Sequence, residues 1–155
     1  MTDLDRQAIA EKASATLHDR DACATLLGIT IDDVQPGSAV VSMVVESTMA
    51  NGHGICQGGL ITTLADTAFA HASNSYNRTT VAQGISIDFV KPALLGQRLS
   101  ATASEQHRGK TTGIYEVRVR NEDDQLLAIF TGRSFELNQP VFDHPEDDQQ
   151  NGVSQ

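Results

Sequence analysis

Asp66 is the residue of this sequence whose surroundings most suggest chemistry. It lies in residues 64–70, Leu-Ala-Asp-Thr-Ala-Phe-Ala, a segment that is otherwise almost entirely apolar. A carboxylate in such surroundings costs free energy unless it faces water, a partner or a substrate. Two interpretations remain open from this pattern alone. The residue is either a structural acid bonded to a neighbouring strand, or a catalytic general base or nucleophile.

The loop that precedes this segment is rich in glycine. Residues 51–59 read Asn-Gly-His-Gly-Ile-Cys-Gln-Gly-Gly, so that four of nine positions are glycine. Glycines that lead into a helix let a ligand approach the free backbone N–H groups at the positive end of the helix dipole. Such groups suit a phosphate or the oxyanion that develops during acyl transfer. A helix with this entry and a carboxylate in its middle fits the hydrolysis of an activated acyl group.

A long apolar helix must position both features. Apolar residues recur between positions 60 and 72 at helical spacing and form a wide stripe, which predicts a helix from Gly59 to about Ser75. A helix of this kind has to be wrapped by other elements. Shorter patterns predict an amphipathic helix over residues 3–19 and a second helix from Asp21 to Leu27, which Gly28 ends.

Most of the remaining sequence has the pattern of β-strands. Strands are predicted over residues 29–31, 39–45, 85–90, 99–107, 112–120 and 126–137. Turn residues at 35–38, 108–110 and 121–124 join neighbouring strands. The order of two strands, one buried helix and a four-stranded meander predicts an α+β fold. In this fold a curved antiparallel sheet wraps one long central helix.

The chain divides into three segments by composition. Residues 1–28 form an N-terminal helical segment that packs on the domain, and residues 29–137 form the domain itself. From residue 138 onward the chain is polar and acidic, with Pro140 and Pro145 and no Lys or Arg. We therefore predict that residues 138–155 are a disordered tail.

Charge and composition exclude several classes of protein. The net charge of −9 argues against a nucleic-acid partner, because phosphates require a basic face. No apolar run reaches the roughly 18 residues that a membrane-spanning helix needs. The acidic N-terminus has no apolar stretch of a secretory signal behind it, and the two cysteines need no disulfide. We expect a cytoplasmic protein that binds neither nucleic acid nor membrane.

Several motifs together resemble the hotdog-fold thioesterases of phenylacetic acid degradation. They are Asn-Gly-His at 51–53, Cys-Gln-Gly-Gly at 56–59, the 64–70 segment, Val-Ala-Gln at 81–83, Ile-Asp-Phe at 87–89 and Gly-Lys-Thr-Thr-Gly at 109–113. The resemblance extends from about residue 21 to residue 137. It implies a hotdog fold, a homotetramer built as a dimer of dimers, and the hydrolysis of aryl-acetyl-coenzyme A (CoA) thioesters. It also implies that the enzyme uses no metal and no cofactor, since CoA is part of the substrate.

The same resemblance assigns roles to individual positions. Asp66 matches the general base or nucleophile, the backbone N–H of Gly58 polarises the thioester carbonyl, and Asn51 is a polar group near the thioester. Further substrate contacts are expected from Gln57, Gly59, His53 and Thr67, and contacts with the CoA phosphates from Lys110 and Arg108. One departure concerns Gln57, because the family commonly has histidine there. Glutamine donates hydrogen bonds but does not titrate, so this position loses any acid–base role.

Helical geometry restricts how Gly58 and Asp66 act together. Residues eight positions apart on one helix are separated by roughly 12 Å along the axis and about 80° around it. The two groups therefore meet at one thioester only if two antiparallel helices face each other across a two-fold axis. Two other functions remain open from sequence: a hotdog dehydratase or hydratase, and a non-catalytic module that binds acyl-CoA. The first usually relies on a His–carboxylate pair, for which the sequence shows no well-placed histidine.

Overall fold

A computed structural model describes residues 1–143 of the chain. Its helices are α1 (Asp3–Arg20), α2 (Ala22–Leu27) and α3 (Gly58–Ser73), and a 3-10 turn covers Ser47–Met49. Its strands are β1 (Thr30–Gln35), β2 (Ser38–Val44), β3 (Thr80–Phe89), β4 (Arg98–Arg108), β5 (Thr112–Arg120) and β6 (Leu126–Glu136). Within the described range, no helix is both long and apolar enough to cross a membrane.

The six strands form one antiparallel sheet in the order β1-β2-β4-β5-β6-β3. Bulges interrupt the register between Ala82 and Gly84 in β3 and between Glu105 and His107 in β4. Such bulges bend strands and increase their twist, which suits a sheet that curves around a helix. The predicted α+β architecture is confirmed, with α3 in contact with every strand of the sheet. The predicted four-stranded meander is wrong for its first strand, because β3 pairs with β6 and β4 pairs with β2 and β5. A hairpin turn joins neighbours in sequence, but which strand lies at the edge depends on how the sheet closes around α3.

The core lies between α3 and the concave face of the sheet. The apolar stripe of α3 is buried, including Ile61, Leu64 and Phe69. The Phe69 ring lies 5.4 Å from Tyr115 and 5.9 Å from Phe130, between ring centroids. A Cβ atom at Gly132 would lie 2.9 Å from the Phe69 ring, so β6 reaches this close to the helix only with glycine there.

Helix α1 packs against α3 through a buried polar pair. The Ser14 hydroxyl lies 2.7 Å from Nδ1 of His71, and both side chains are only 2% exposed. Burial lowers the pKa of His71, and the charge of the nearby His18 lowers it as well. The charge of Asp21 partly opposes this shift, and the resulting pKa is about 4. His71 is therefore a neutral core histidine that fixes α1 on the central helix.

The structure corrects the prediction that the chain is disordered from residue 138. Val141 and Phe142 are buried against Ala13 of α1. Their backbone N–H groups donate to Oδ1 of Asn77, at 3.1 and 3.0 Å. Two apolar residues are enough to fix this short piece, although the composition of the whole segment is polar. Residues 144–155 of the predicted tail lie outside the described residues.

Strand β3 forms one edge of the sheet and pairs only with β6 among the described strands. The sequence pattern predicted a strand over residues 85–90, and the structure extends it back to Thr80. In this subunit Val81, Ile85 and Phe89 are 46%, 42% and 52% exposed, respectively. An edge with unpaired backbone groups and uncovered apolar side chains is typical of a surface that pairs with another strand.

Candidate active site

The glycine-rich loop leads into the start of α3, and a set of hydrogen bonds holds it in place. Oδ1 of Asn51 accepts from the backbone N–H groups of His53 at 2.9 Å and Ile55 at 3.3 Å. The N–H of Gln57 donates to the carbonyl of Met49 at 2.8 Å. The loop is therefore held at both ends, which fixes the position of the first helical turn.

Helix α3 begins at Gly58, one residue before the predicted start. Within residues 1–143, the N–H groups of Gly58 and Gly59 have no hydrogen-bond acceptor. Gln57 precedes the helix, but its side chain makes no capping bond. The first N–H groups of a helix carry partial positive charge, so this end is prepared to receive an anionic or developing anionic oxygen.

A pocket of about 430 Å³ opens beside this helix terminus. Its walls are mostly apolar and include Ile55, Ile61 and Phe89, while Asn51 and Lys91 supply polar groups. Nδ2 of Asn51 has no acceptor within the described part of the chain, because only Oδ1 is used by the loop. The pocket thus combines free N–H donors with space for an apolar group.

Phe89 forms the wall that lies closest to the helix terminus. A Cβ atom at Gly58 would lie 3.0 Å from Cζ of Phe89. The aromatic ring therefore occupies the space that a side chain at position 58 would need. Any group that binds the Gly58 N–H from this pocket must also pass close to this ring.

Asp66 lies on the face of α3 that its own sheet does not cover. The side chain is exposed, whereas Ala65 and Thr67 on either side are buried. Desolvation raises the pKa of Asp66 above the usual carboxyl value, and the charge of Asp21 raises it further. A raised pKa brings a carboxylate closer to the range useful for proton transfer at neutral pH. Asp66 does not line the pocket beside Gly58.

A second pocket, of about 760 Å³, lies at the opposite end of α3 and gathers positive charge. Its lining includes Arg6, Arg78, Arg108 and Lys110, which are four of the chain's eleven basic residues. The Arg108 guanidinium lies 4.0 Å from the centroid of the Tyr76 ring and 3.5 Å from Glu136. In a chain of net charge −9, this concentration of cations is the described site best suited to an anion.

Comparisons with known proteins identify the family of this chain. Residues 53–128 match the thioesterase superfamily. The chain is 44% identical to the Escherichia coli acyl-coenzyme A thioesterase PaaI, over 78% of this chain and 86% of that protein. The chain belongs to the thioesterase superfamily.

Solved structures show the same fold. The E. coli PaaI protein from the phenylacetic acid degradation operon matches with a TM-score of 0.85 and 40% identity, covering 86% of this chain and 97% of that one. A Streptococcus mutans protein bound to acetyl CoA matches with a TM-score of 0.70 and 28% identity, covering 72% and 90%. The predicted hotdog fold is confirmed, and the chain is a thioester hydrolase.

The remaining predicted site residues of this thioesterase differ in how close they lie to the helix entry and the pocket. Gly59 and Gln57 are exposed beside Gly58 at the helix entry. His53 is exposed in the loop and does not line the apolar pocket. The structure corrects the predicted substrate contact of Thr67, because this side chain is buried and its hydroxyl donates to the carbonyl of Thr63 at 2.8 Å. Helical periodicity turns that residue toward the core, away from the Asp66 face.

Sequence reasoning missed two residues that contact or influence the candidate site. Phe89 was assigned to a strand without a role, since its contact with Gly58 depends on the order of strands in the sheet. Asp21 was assigned only to the start of a helix. It caps α2 by accepting from the N–H of Ala24 at 2.9 Å, and its charge also acts on Asp66. A carboxylate in a helix-capping position was the sequence signal available for Asp21.

The other candidates for chemistry are accounted for by packing. Cys56 is buried, and burial raises the pKa of its thiol, which disfavours a thiolate nucleophile. Among residues 1–143, no group of three or more His, Cys, Asp or Glu side chains is arranged to hold a metal ion. The absence of a cofactor remains a prediction.

Proposed function

We propose that this thioesterase hydrolyses aryl-acetyl-CoA thioesters, of the phenylacetyl- or hydroxyphenylacetyl-CoA type, to the free acid and CoA. The observation that carries the proposal is the free Gly58 N–H, which opens on an apolar pocket walled by Phe89. The names of its relatives support a CoA thioester as the substrate, since one is an acyl-coenzyme A thioesterase and another is bound to acetyl CoA. A role in phenylacetate degradation follows from this substrate.

The proposed site requires two subunits. Gly58 and Asp66 lie on one helix, roughly 12 Å apart along its axis, so one subunit does not bring both to the same carbon. Strand β3 has a free edge with uncovered apolar side chains, which suits antiparallel pairing with the β3 strand of a second copy. We propose this dimer as the unit of activity, and a dimer of such dimers as the tetramer.

Pairing through β3 brings the correct groups together. In one subunit, Gly58 lies beside Phe89 at the end of β3. The opposite end of α3 lies at the start of β3, where Nδ2 of Asn74 donates to the carbonyl of Thr80 at 2.9 Å. Antiparallel pairing of two β3 strands therefore sets the two α3 helices antiparallel. Asp66 of each copy then faces the helix entry of the other.

The same pairing explains how the basic pocket serves the substrate. The hairpin that carries Arg108 and Lys110 lies at the start of β3, because Thr112 pairs with Phe135, which in turn pairs with Val81. In the dimer this end of one subunit adjoins the Gly58 end of the other. We propose that the subunit that supplies Asp66 also supplies Arg108 and Lys110 to the CoA phosphates.

The chemistry follows from these positions. The thioester carbonyl accepts a hydrogen bond from Gly58 N–H, with the Asn51 amide alongside, so that charge on the oxygen is stabilised as the carbonyl is attacked. Asp66 either takes a proton from the attacking water or attacks the carbonyl carbon itself to form a mixed anhydride. Either route breaks the C–S bond and releases CoA as a thiol. In the route through the mixed anhydride, water then hydrolyses the anhydride. No cofactor is required, and we propose a cytoplasmic location.

Both alternative functions are less well supported. A dehydratase or hydratase needs a histidine next to the carboxylate, whereas Nδ1 of His71 is engaged by Ser14 and His53 is exposed in the loop. A non-catalytic module does not need a carboxylate with a raised pKa on the uncovered face of the central helix.

A panel of CoA thioesters tests the proposal by release of free thiol. We expect kcat/KM to be higher for phenylacetyl-CoA than for hexanoyl- or palmitoyl-CoA. Hydration of crotonyl-CoA without thiol release would instead support the hydratase. Tight binding of every thioester without turnover would support the binding module.

The basic pocket is tested with two forms of the same acyl group. Lys110→Ala should raise KM for phenylacetyl-CoA but leave KM unchanged for phenylacetyl-pantetheine, which lacks the phosphates. Lys12→Ala is the matched control, because Lys12 lies on α1 over the Phe142 ring. Equal changes with both substrates would place the CoA phosphates elsewhere.

A further inference from the structure

The Phe89 ring lies against Gly58, whose N–H is proposed to bind the thioester carbonyl. The distance from Cζ of Phe89 to the Cβ position of Gly58 is 3.0 Å. A carbonyl oxygen bound by Gly58 N–H therefore brings the first carbons of the acyl group into reach of this ring. The ring is part of the wall of the pocket beside Gly58, so a ligand in this pocket contacts it.

The rest of the pocket around this ring is mostly apolar. Its walls are apolar apart from Asn51 and Lys91. Asn51 is tied to the loop through its Oδ1 atom. Van der Waals contact and aromatic packing thus decide which acyl group fits best in this region. Paired aromatic rings prefer offset or edge-to-face arrangements and gain attraction beyond their buried area.

We propose that Phe89 determines the preference of this enzyme for aryl-acetyl groups, by packing its ring against the aromatic ring of the substrate. This inference rests on the proposed function, because it assigns a selective contact to the same acyl site. The methylene carbon of an aryl-acetyl group separates its ring from the carbonyl. That spacing lets the substrate ring meet Phe89 while the carbonyl stays at Gly58.

The test compares phenylacetyl-CoA with cyclohexylacetyl-CoA, which has a similar shape but no aromatic ring. Phe89→Leu should lower kcat/KM for phenylacetyl-CoA by roughly threefold to tenfold relative to cyclohexylacetyl-CoA. Phe89→Tyr should keep the wild-type ratio, since the ring is retained. Phe135→Leu is the matched control, because Phe135 is also half exposed but does not line this pocket.

The outcomes separate this inference from the function on which it rests. If the wild-type enzyme releases thiol from none of these thioesters, the proposed function is overturned and the inference with it. If the wild type is active and Phe89→Leu lowers both rates equally, Phe89 is structural and the inference alone is overturned. Since Phe89 lies on the edge strand, oligomer size is measured for each variant. Should Phe89→Leu fail to assemble, Phe89→Met makes the same comparison with a longer side chain.

Discussion

Gly58 and Asp66 lie on the same helix with their functional groups on different turns, the N–H at the first turn and the carboxylate in the third. Their separation of roughly 12 Å along the axis exceeds the reach of one thioester carbonyl. The pocket beside Gly58 accordingly contains no atom of Asp66. This relationship makes the proposed active site a property of the dimer.

Asp66→Asn should reduce kcat by roughly 10²-fold or more, because it removes the base or nucleophile while keeping the side-chain volume. The side chain is exposed on α3, so the fold and the oligomer should be unchanged. Thiol release and circular dichroism check both parts. Near-normal turnover by a folded Asn variant would place the chemistry elsewhere.

Mixing two inactive variants tests the shared site. Gly58→Pro deletes the donor N–H at the first helical position, where the backbone accepts proline, and its ring also presses on Phe89. Both effects inactivate the acyl site of the same subunit, whereas Asp66→Asn deletes the carboxylate. Random reassembly of equal amounts gives mixed dimers for about half the population, each with one intact site, so activity should recover to about a quarter of wild type. Verified mixed dimers without recovered activity would exclude a site shared between subunits.

The pH dependence of the rate should report Asp66. Activity requires the ionised carboxylate, so kcat/KM falls as the pH drops through its pKa, and this limb should lie above that of an ordinary aspartate. Asp21→Asn removes a negative charge that raises this pKa, and asparagine still caps α2. We expect the acid limb to move to lower pH in Asp21→Asn but not in Asp19→Asn. An equal shift in both variants would contradict this assignment.

His71 should make the stability of the protein depend on pH. Its pKa is about 4 in the folded state and about 6.5 when solvated, so the unfolded chain binds more protons between these values. Stability therefore increases as the pH rises from about 4 to about 6.5. Urea unfolding at constant protein concentration measures this slope. His71→Gln, which does not titrate, should have a shallower slope than wild type over this interval.

Truncation should distinguish the two parts of the C-terminal segment. A chain that ends at Asp143 keeps Val141 and Phe142 in contact with α1 and should retain the wild-type melting temperature. A chain that ends at Leu137 loses both and should melt at a lower temperature. Phe142→Ala isolates the ring and should cost about 3 kcal/mol. Equal melting temperatures for the two truncations would show that these contacts contribute no stability.

The sequence by itself determined the elements of this fold and the two residues at the centre of the site. Apolar residues at helical spacing predicted α3 to within two residues of its ends, and alternation predicted the β-strands. The predicted four-stranded meander holds only for β4, β5 and β6. Asp66 was singled out as an acid in an apolar helix, and the glycines at the helix entry as a place for free N–H donors. The resemblance to the thioesterases then assigned a role to Asp66 and to Gly58. These signals depend only on neighbours along the chain.

The tertiary structure decided what depends on contacts between distant segments. The order of strands places Phe89 on Gly58 and leaves β3 at the edge of the sheet. The fold also buries Phe142 on α1 and gathers cations around Tyr76. Burial, edge position and charge clustering are set by which surfaces meet after the chain has folded. Periodicity describes a face of each element, but it does not specify what that face will contact.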